Sequence, residues 1–311
     1  MQENFGTVVK STGSRYLVSI SKNKLEECTL RGKLRLENLK STNPVVVGDK
    51  VKITQTNSGW VIEDILPRKN YIIRKSTNLS KQTHIIAANI DLAVILASIA
   101  VPQTSMGFID RFLVTAEAYR IPAAVVFHKS DLLQTNEERE IQKAFVKIYT
   151  DIGYPVLETS IKDKKSIQEL YSLIQGKTIL LSGHSGVGKS SLINALNPNL
   201  DLKTGQVSLK HLKGKHTTTY AELLQIDDTT FVIDTPGIKE FGLVNMDKDE
   251  ISHYFPEIRK FLGQCKFNNC THINEPGCII LEELNKGTIN LSRYKSYLSM
   301  INNEDFKDSI Y

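Results

Sequence analysis

The 311-residue chain has four cysteines and a single tryptophan, too little sulfur for a small disulfide-stapled scaffold. No apolar run approaches the roughly 18 residues of a membrane span. Even the run from Leu92 to Ala100 is only strand length. The opening MQENFGTVVK lacks a basic region followed by an apolar one, so no signal peptide is expected and the expected location is cytoplasmic, with no membrane partner. No internal repeat and no low-complexity tract appear. A hydrophobic fraction of 41% with 23% charged residues excludes disorder and collagen.

What is present is unevenly placed. The net charge of +5 sits in residues 1 to 70, which hold 12 Lys or Arg against 7 Asp or Glu, whereas the remainder balances at 27 against 27. A chain of this length implies two or three domains. Residues 1–70 show short alternating apolar runs, Thr7 to Val9, Arg15 to Ile20, Val45 to Val47 and Val51 to Thr54, broken by Gly, Asn and Ser. This spacing predicts a small OB-like β-barrel. Its basic run Arg31, Lys33, Arg35 and its Trp60 suit nucleic-acid contact, or equally a solvated face and a core aromatic.

Beyond Pro67 strands alternate with helical stretches. Asp91 to Ser98 is a continuous apolar run suited to a strand covered on both faces, Ile109 to Tyr119 has helical spacing, and Ala123 to Phe127, Pro155 to Glu158 and Thr178 to Leu181 read as further strands. Such alternation implies a mostly parallel, doubly wound sheet over 71–240. From about 241 the periodicity weakens into a Cys/His cluster and a helical tail, so 241–311 is expected to be a separate zinc-binding helical domain.

Three motifs carry phosphate and base chemistry. Gly183-His184-Ser185-Gly186-Val187-Gly188-Lys189-Ser190, with Ser191 following, fits G-x-x-x-x-G-K-[ST] between a strand and a helix. Its backbone N–H groups and the helix N-terminus suit phosphate, Lys189 suits the β/γ oxygens, and Ser190 offers a hydroxyl to Mg²⁺. Asp234-Thr-Pro-Gly237 ends a strand as a D-x-x-G switch does, Asp234 toward Mg²⁺ and the Gly237 N–H toward the γ-phosphate. His128-Lys129-Ser130-Asp131 matches the guanine motif N-K-x-D apart from His128. The carboxylate of Asp131 suits guanine N1 and N2, while an imidazole can donate to N7 or brace the phosphate loop. Thr159-Ser160 is a partial match to the loop that backs the base, with Ile161 where Ala is usual.

The base motif precedes the phosphate loop, the reverse of an ordinary GTPase. In this order, and with Arg31-Gly-Lys-Leu-Arg35, Leu66-Pro-Arg-Lys-Asn70, Gly214-Lys-His-Thr-Thr-Thr219 and the Cys/His cluster, the chain resembles the RsgA or YjeQ family of ribosome small-subunit-dependent, circularly permuted GTPases. The resemblance implies an OB-fold, a permuted P-loop GTPase domain and a zinc domain, acting late in small-subunit assembly with GTP or GDP, the subunit and its rRNA as partners. A monomer is the expected form.

The polar stretch from Leu202 to Tyr220, with Lys203, Lys210, Lys213, Lys215 and no acid, is the expected switch I. Thr217 to Thr219 offer hydroxyls to Mg²⁺, and the resemblance favours Thr218. Ile238 stands where many GTPases place a water-orienting Gln, so His216 is the candidate catalytic polar group beside Lys189. Cys265-x4-Cys270-x-His272-x5-Cys278 offers three thiolates and an imidazole, a closed set that fits one structural zinc per chain. Cys28 stands apart and reads as core. A nucleotide-gated RNA-binding module with vestigial hydrolysis is the alternative reading, and a P-loop kinase a weaker third.

Overall fold

The computed structural model describes residues 4–21, 24–32, 34, 44–74, 84–202, 222–234 and 246–302. Five strands, β1 (Asn4–Ser11), β2 (Tyr16–Ser21), β3 (Lys24–Leu30), β4 (Lys50–Thr56) and β5 (Gly59–Ile65), form the N-terminal unit. They run in the order β1-β2-β3-β5-β4, and β4 pairs back to β1 from Asn4↔Ile53 to Thr7↔Lys50, which closes the barrel. Closure removes the free edges. Val8, Tyr16, Val18, Cys28, Val51, Ile53 and Ile62 fill the interior, so Cys28 is the core residue its isolation suggests. Trp60 is half-buried against this core, with the Lys24 ammonium 5.6 Å from its ring centroid. The expected strand at Val45 to Val47 is not one. These valines are buried, but only Val47 bridges to Ala87, because Gly48 turns the chain with φ +89 and lies so close to Ala88 that no Cβ fits.

The barrel's exit is held by side chains in place of secondary structure. Arg68 grips Asp49 through two bonds of 2.7 and 2.8 Å, and Asn70 imitates a strand partner, donating to the Ile90 carbonyl and accepting from the Ile90 N–H, both at 2.8 Å. The Arg68-Lys-Asn70 sequence thus ties barrel to the next layer. A two-stranded hairpin follows, β6 (Tyr71–Arg74) with β7 (His84–Ala88).

The central layer is the doubly wound sheet. Strands β8 (Leu92–Ala97), β9 (Ala123–His128), β10 (Val156–Thr159), β11 (Thr178–Ser182), β12 (Glu222–Gln225) and β13 (Phe231–Asp234) lie in the order β10-β9-β8-β11-β13-β12, all parallel except β12. β8 is buried at every position, and its two faces serve two cores. Ala93, Ile95 and Ala97 meet helices α1 (Met106–Ala118) and α2 (Asn136–Ile152), while Leu92, Val94 and Leu96 meet α3 (Lys164–Ile174) and α4 (Lys189–Leu196). Period-two alternation inside a wholly apolar run is what a strand covered on both faces requires. β12 also pairs with β1 at Lys10↔Glu222, so barrel and central sheet share one hydrogen-bonded edge.

The C-terminal unit is helical, with α5 (Pro256–Arg259), α6 (Ile279–Asn285) and α7 (Leu291–Asn302) around Phe255, Ile258, Ile280, Tyr297 and Met300. It is fastened to α1 by a fully buried charge. Arg293 donates to Asp110 at 2.6 Å and to Glu257 at 2.7 Å, its guanidinium 4.7 Å from the Phe255 ring centroid, and Tyr149 donates to the same Asp110 oxygen at 2.8 Å. Burial opposes the charge, but the two carboxylates keep Arg293 protonated, well above its ordinary value. Removing one partner of such a pair strands the others without water. Arg293→Ala is therefore expected to cost about 3–5 kcal/mol in denaturant unfolding of the full chain, and Arg293→Lys to recover only part, since an ammonium cannot match the forked geometry.

Candidate nucleotide site and metal centre

Among the described residues, the sequence-selected elements of the nucleotide site lie at the carboxyl ends of the parallel strands, the edge where open α/β sheets bind ligands. β9 ends on His128 and β10 on Thr159, which are direct partners in register. β11 runs into the glycine loop, and Asp234 ends the neighbouring β13. Gly237, Thr218 and His216 lie outside the described residues.

The glycine loop, 183 to 188, has its three glycines at positive φ: Gly183 at 151°, Gly186 at 81° and Gly188 at 111°. Two are forced by neighbours as well. A Cβ on Gly183 would stand 2.4 Å from the Leu96 carbonyl oxygen, and one on Gly188 would stand 2.6 Å from His128 Cδ2. Val187 is buried, Ser185 exposed, and Ser190 and Ser191 half-buried on the first turn of α4. The Lys189 ammonium folds over the loop, donating to the carbonyls of Gly183 and His184 at 2.5 and 2.9 Å. The His184 ring stacks on Phe108 of α1, centroids 4.0 Å apart.

The base side is tied to this loop. Lys129, in the left-handed region at φ 62°, stretches its ammonium to the Gly186 carbonyl at 2.7 Å and to the Val101 carbonyl at 3.0 Å. His128 is buried and shares a 2.9 Å hydrogen bond with Thr159 Oγ1. Burial, with the Lys129 ammonium beside it, pushes its imidazole down to about 4, so the ring is neutral at pH 7. Asp131, in the turn Ser130–Leu132, accepts from Ser160 at 2.6 Å and pairs with Lys162 at 2.8 Å. The ammonium of Lys162 and the Ser160 hydroxyl hold its carboxyl below the usual range. Ser130 donates to the Thr159 carbonyl at 3.2 Å. Ile161 is half exposed, so the larger side chain costs no core space where an alanine is usual.

Sequence reasoning missed Lys162, Phe108 and the Val101 carbonyl. Lys162 had a signal, a cation two residues beyond Ser160; the other two are brought in by folding alone.

This arrangement can be set beside known proteins. Residues 65–244 match the family model described as RsgA GTPase, and residues 5–61 match RsgA N-terminal domain. The chain belongs to the RsgA GTPase family. It is 48% identical over 301 residues to Small ribosomal subunit biogenesis GTPase RsgA 2 of Bacteroides thetaiotaomicron, covering 96% of this chain and 97% of the relative. A protein of Porphyromonas gingivalis named Small ribosomal subunit biogenesis GTPase RsgA is 49% identical over 306 residues, 96% and 97% covered. The crystal structure of YjeQ from Thermotoga maritima superposes with a TM-score of 0.79 at 34% identity over 97% of this chain and 98% of that one. YloQ, titled a circularly permuted GTPase, gives 0.76 at 28% identity over 100% and 98%. This member of the family is thus a GTPase with the permuted order read from its motifs.

The second centre brings Cys265, Cys270, His272 and Cys278 together, their ligand atoms all within 4.8 Å of one another. Cys265 Sγ and Cys278 Sγ each lie 3.5 Å from His272 Nδ1 and 3.9 Å from each other. Ideal tetrahedral bonds to zinc of about 2.3 Å from sulfur and 2.0 Å from nitrogen would space these atoms by about 3.8 Å for two sulfurs and 3.5 Å for sulfur and nitrogen. The residues fit a metal. His272 sits at φ 60°, and the loop that carries it is held by α7, with Tyr294 and Tyr297 donating to the His272 and Thr271 carbonyls at 2.8 Å each.

The glycine contacts yield a graded prediction. Gly188→Ala, blocked by both φ and the His128 ring, is expected to weaken GDP binding at least tenfold with the circular dichroism spectrum unchanged. Gly186→Ala, whose Cβ would meet only Pro102 carbons at 3.8 Å, is expected to be the milder variant.

Proposed function

We propose that this chain hydrolyses GTP on the small ribosomal subunit during its maturation, and that the sequence-selected residues are its nucleotide site. Its relatives are named small ribosomal subunit biogenesis GTPases. The observation that carries the site is the convergence of Asp131 with Ser160, and of Lys129 with the Gly186 carbonyl, at the same sheet edge as the glycine loop.

In this reading guanine docks on Asp131, whose carboxylate accepts from N1 and N2 once Lys162 swings aside. The glycine-loop amides from Gly183 to Gly188 and the N-terminus of α4 receive the phosphates. Lys189 exchanges its two carbonyl partners for phosphate oxygens, a move of a flexible side chain on an unmoved loop. Ser190, Thr218 and Asp234 would hold Mg²⁺, which neutralises charge on the β/γ oxygens. The Gly237 N–H meets the γ-phosphate. With Ile238 beside it in place of an amide, the attacking water needs another partner, and His216 is the group we assign.

Slow turnover alone is then the expected state, because with Ile238 in place of Gln the attacking water needs a partner set by an outside surface. RNA phosphates neutralising Lys203, Lys210, Lys213 and Lys215 supply one, and such contacts weaken as salt rises. Steady-state GTP hydrolysis should rise with small subunits, not with large ones, and the rise should fade with ionic strength. Lys189→Ala should abolish turnover throughout. Equal rates with and without small subunits would reject the mechanism, whereas stimulation surviving in His216→Ala would remove only that histidine's role.

The metal in this reading is one zinc per chain, structural because the ligand set is closed. The barrel, with its basic excess, is the RNA-facing unit, and the chain acts as a monomer in the cytoplasm. Elemental analysis should find one zinc per chain, and Cys270→Ser should lose it and loosen residues 246–302 to proteolysis. A folded, metal-free segment in the wild type would overturn the assignment.

A further inference from the structure

His128 stands where the guanine motif of GTPases has asparagine, and its chemistry allows two duties, reading guanine N7 or bracing the phosphate loop. In the fold its ring spans two loops. Nδ1 shares its hydrogen bond with Thr159 Oγ1 at 2.9 Å. The opposite edge, Cδ2 and Nε2, lies against Gly188, where a Cβ would stand 2.6 and 2.9 Å away. Only 2% of the residue is exposed.

We propose that His128 is a positioning residue, a wedge that sets the phosphate loop against the base-recognition loop and takes no part in reading the base. This rests on the nucleotide-site reading above and deepens it. The wedge is one of a pair. Lys129 holds the loop at Gly186 from the same strand end, so consecutive residues fix it at two points, 186 and 188. Fixing Gly188 fixes the start of α4, since the Gly188 carbonyl accepts the Leu192 N–H at 2.9 Å, and Lys189 and Ser190 are the first residues of that helix. A rigid planar ring suits the task. Asparagine is shorter and its amide carries both a donor and an acceptor, whereas this imidazole spends one edge on Thr159 and the other on packing. The charged groups beside it are the Lys129 ammonium and the Asp131 carboxylate, and burial keeps the ring neutral between them. Guanine choice then falls to Asp131.

The test is fluorescence titration of the full chain with GDP, with 7-deaza-GDP, which lacks N7, and with IDP, which lacks the amino group that Asp131 would accept. The wild type should bind GDP and 7-deaza-GDP within about twofold, and discriminate against IDP. His128→Ala should weaken GDP and 7-deaza-GDP by the same factor, about tenfold for a lost hydrogen bond and packing contact, with the GDP to IDP ratio unchanged. His128→Asn should recover to within about threefold of wild type, because an amide still reaches Thr159. Thr159→Val keeps the ring and removes its anchor, so it should lower both affinities equally and covers the case of an unfolded His128→Ala. If 7-deaza-GDP binds the wild type fivefold or more weakly and the difference disappears in His128→Ala, the histidine reads the base and the wedge is overturned. Unchanged affinities in His128→Ala and Thr159→Val overturn it too. Absence of any guanine-nucleotide binding by the wild type is a separate result that removes the site reading beneath it.

Discussion

A single buried guanidinium organises the relation between the enzyme's core and its C-terminal unit. Arg293 of α7 has no solvent to fall back on, so Asp110 of α1, Tyr149 of α2 and Glu257 of α5 must stay around it, and any shift of α7 against α1 would leave a charge bare in an apolar interior. The same two helices reach both sites. Two residues before Asp110, Phe108 stacks on His184 in the phosphate loop, and one and four residues after Arg293, Tyr294 and Tyr297 hold the metal loop by its carbonyls. Glycine loop, α1, α7 and metal loop thus form one contiguous packed path.

That path runs from the phosphate-loop end of the sheet to the C-terminal unit. The connection beyond Asp234 that leads to the C-terminal unit lies outside the described residues. The described contacts join the sheet to that unit through α1. α1 directly follows β8, the strand beside β11, so the helix that packs next to the phosphate loop also faces the C-terminal unit.

Legibility in the sequence followed the chemistry. Motifs that work through backbone geometry and fixed spacing, such as 183–190, 128–131 and the Cys/His set, could be read directly, because glycine at positive φ and a tetrahedral ligand set tolerate few substitutes. β8 was legible as a wholly apolar strand for the same reason of strict constraint. Val45 to Val47 misled because burial alone makes apolar runs, and a tight turn at Gly48 leaves no room to extend a strand. Long-range partners were invisible. Nothing near Arg293 in the chain announces Asp110, 183 residues away, and nothing near His184 announces Phe108. The Arg68-Lys-Asn70 exit stood out as a family string, but its reason, an Asp49 fork and an imitation strand at Ile90, exists only once the chain has folded.

His128 shows how a departure from a motif can preserve its mechanics. An amide at that position would serve base, Thr159 and phosphate loop with one small group. Substituting a ring keeps the Thr159 bond and fills the space against Gly188, which in turn forbids any side chain at 188. The two residues are therefore one choice: a larger side chain at the strand end is tolerated only with glycine opposite it, and glycine at 188 is already demanded by a φ of 111°. The backbone requirement of the phosphate loop thus supplies the space that the imidazole occupies, which is why this replacement is compatible with the loop's geometry.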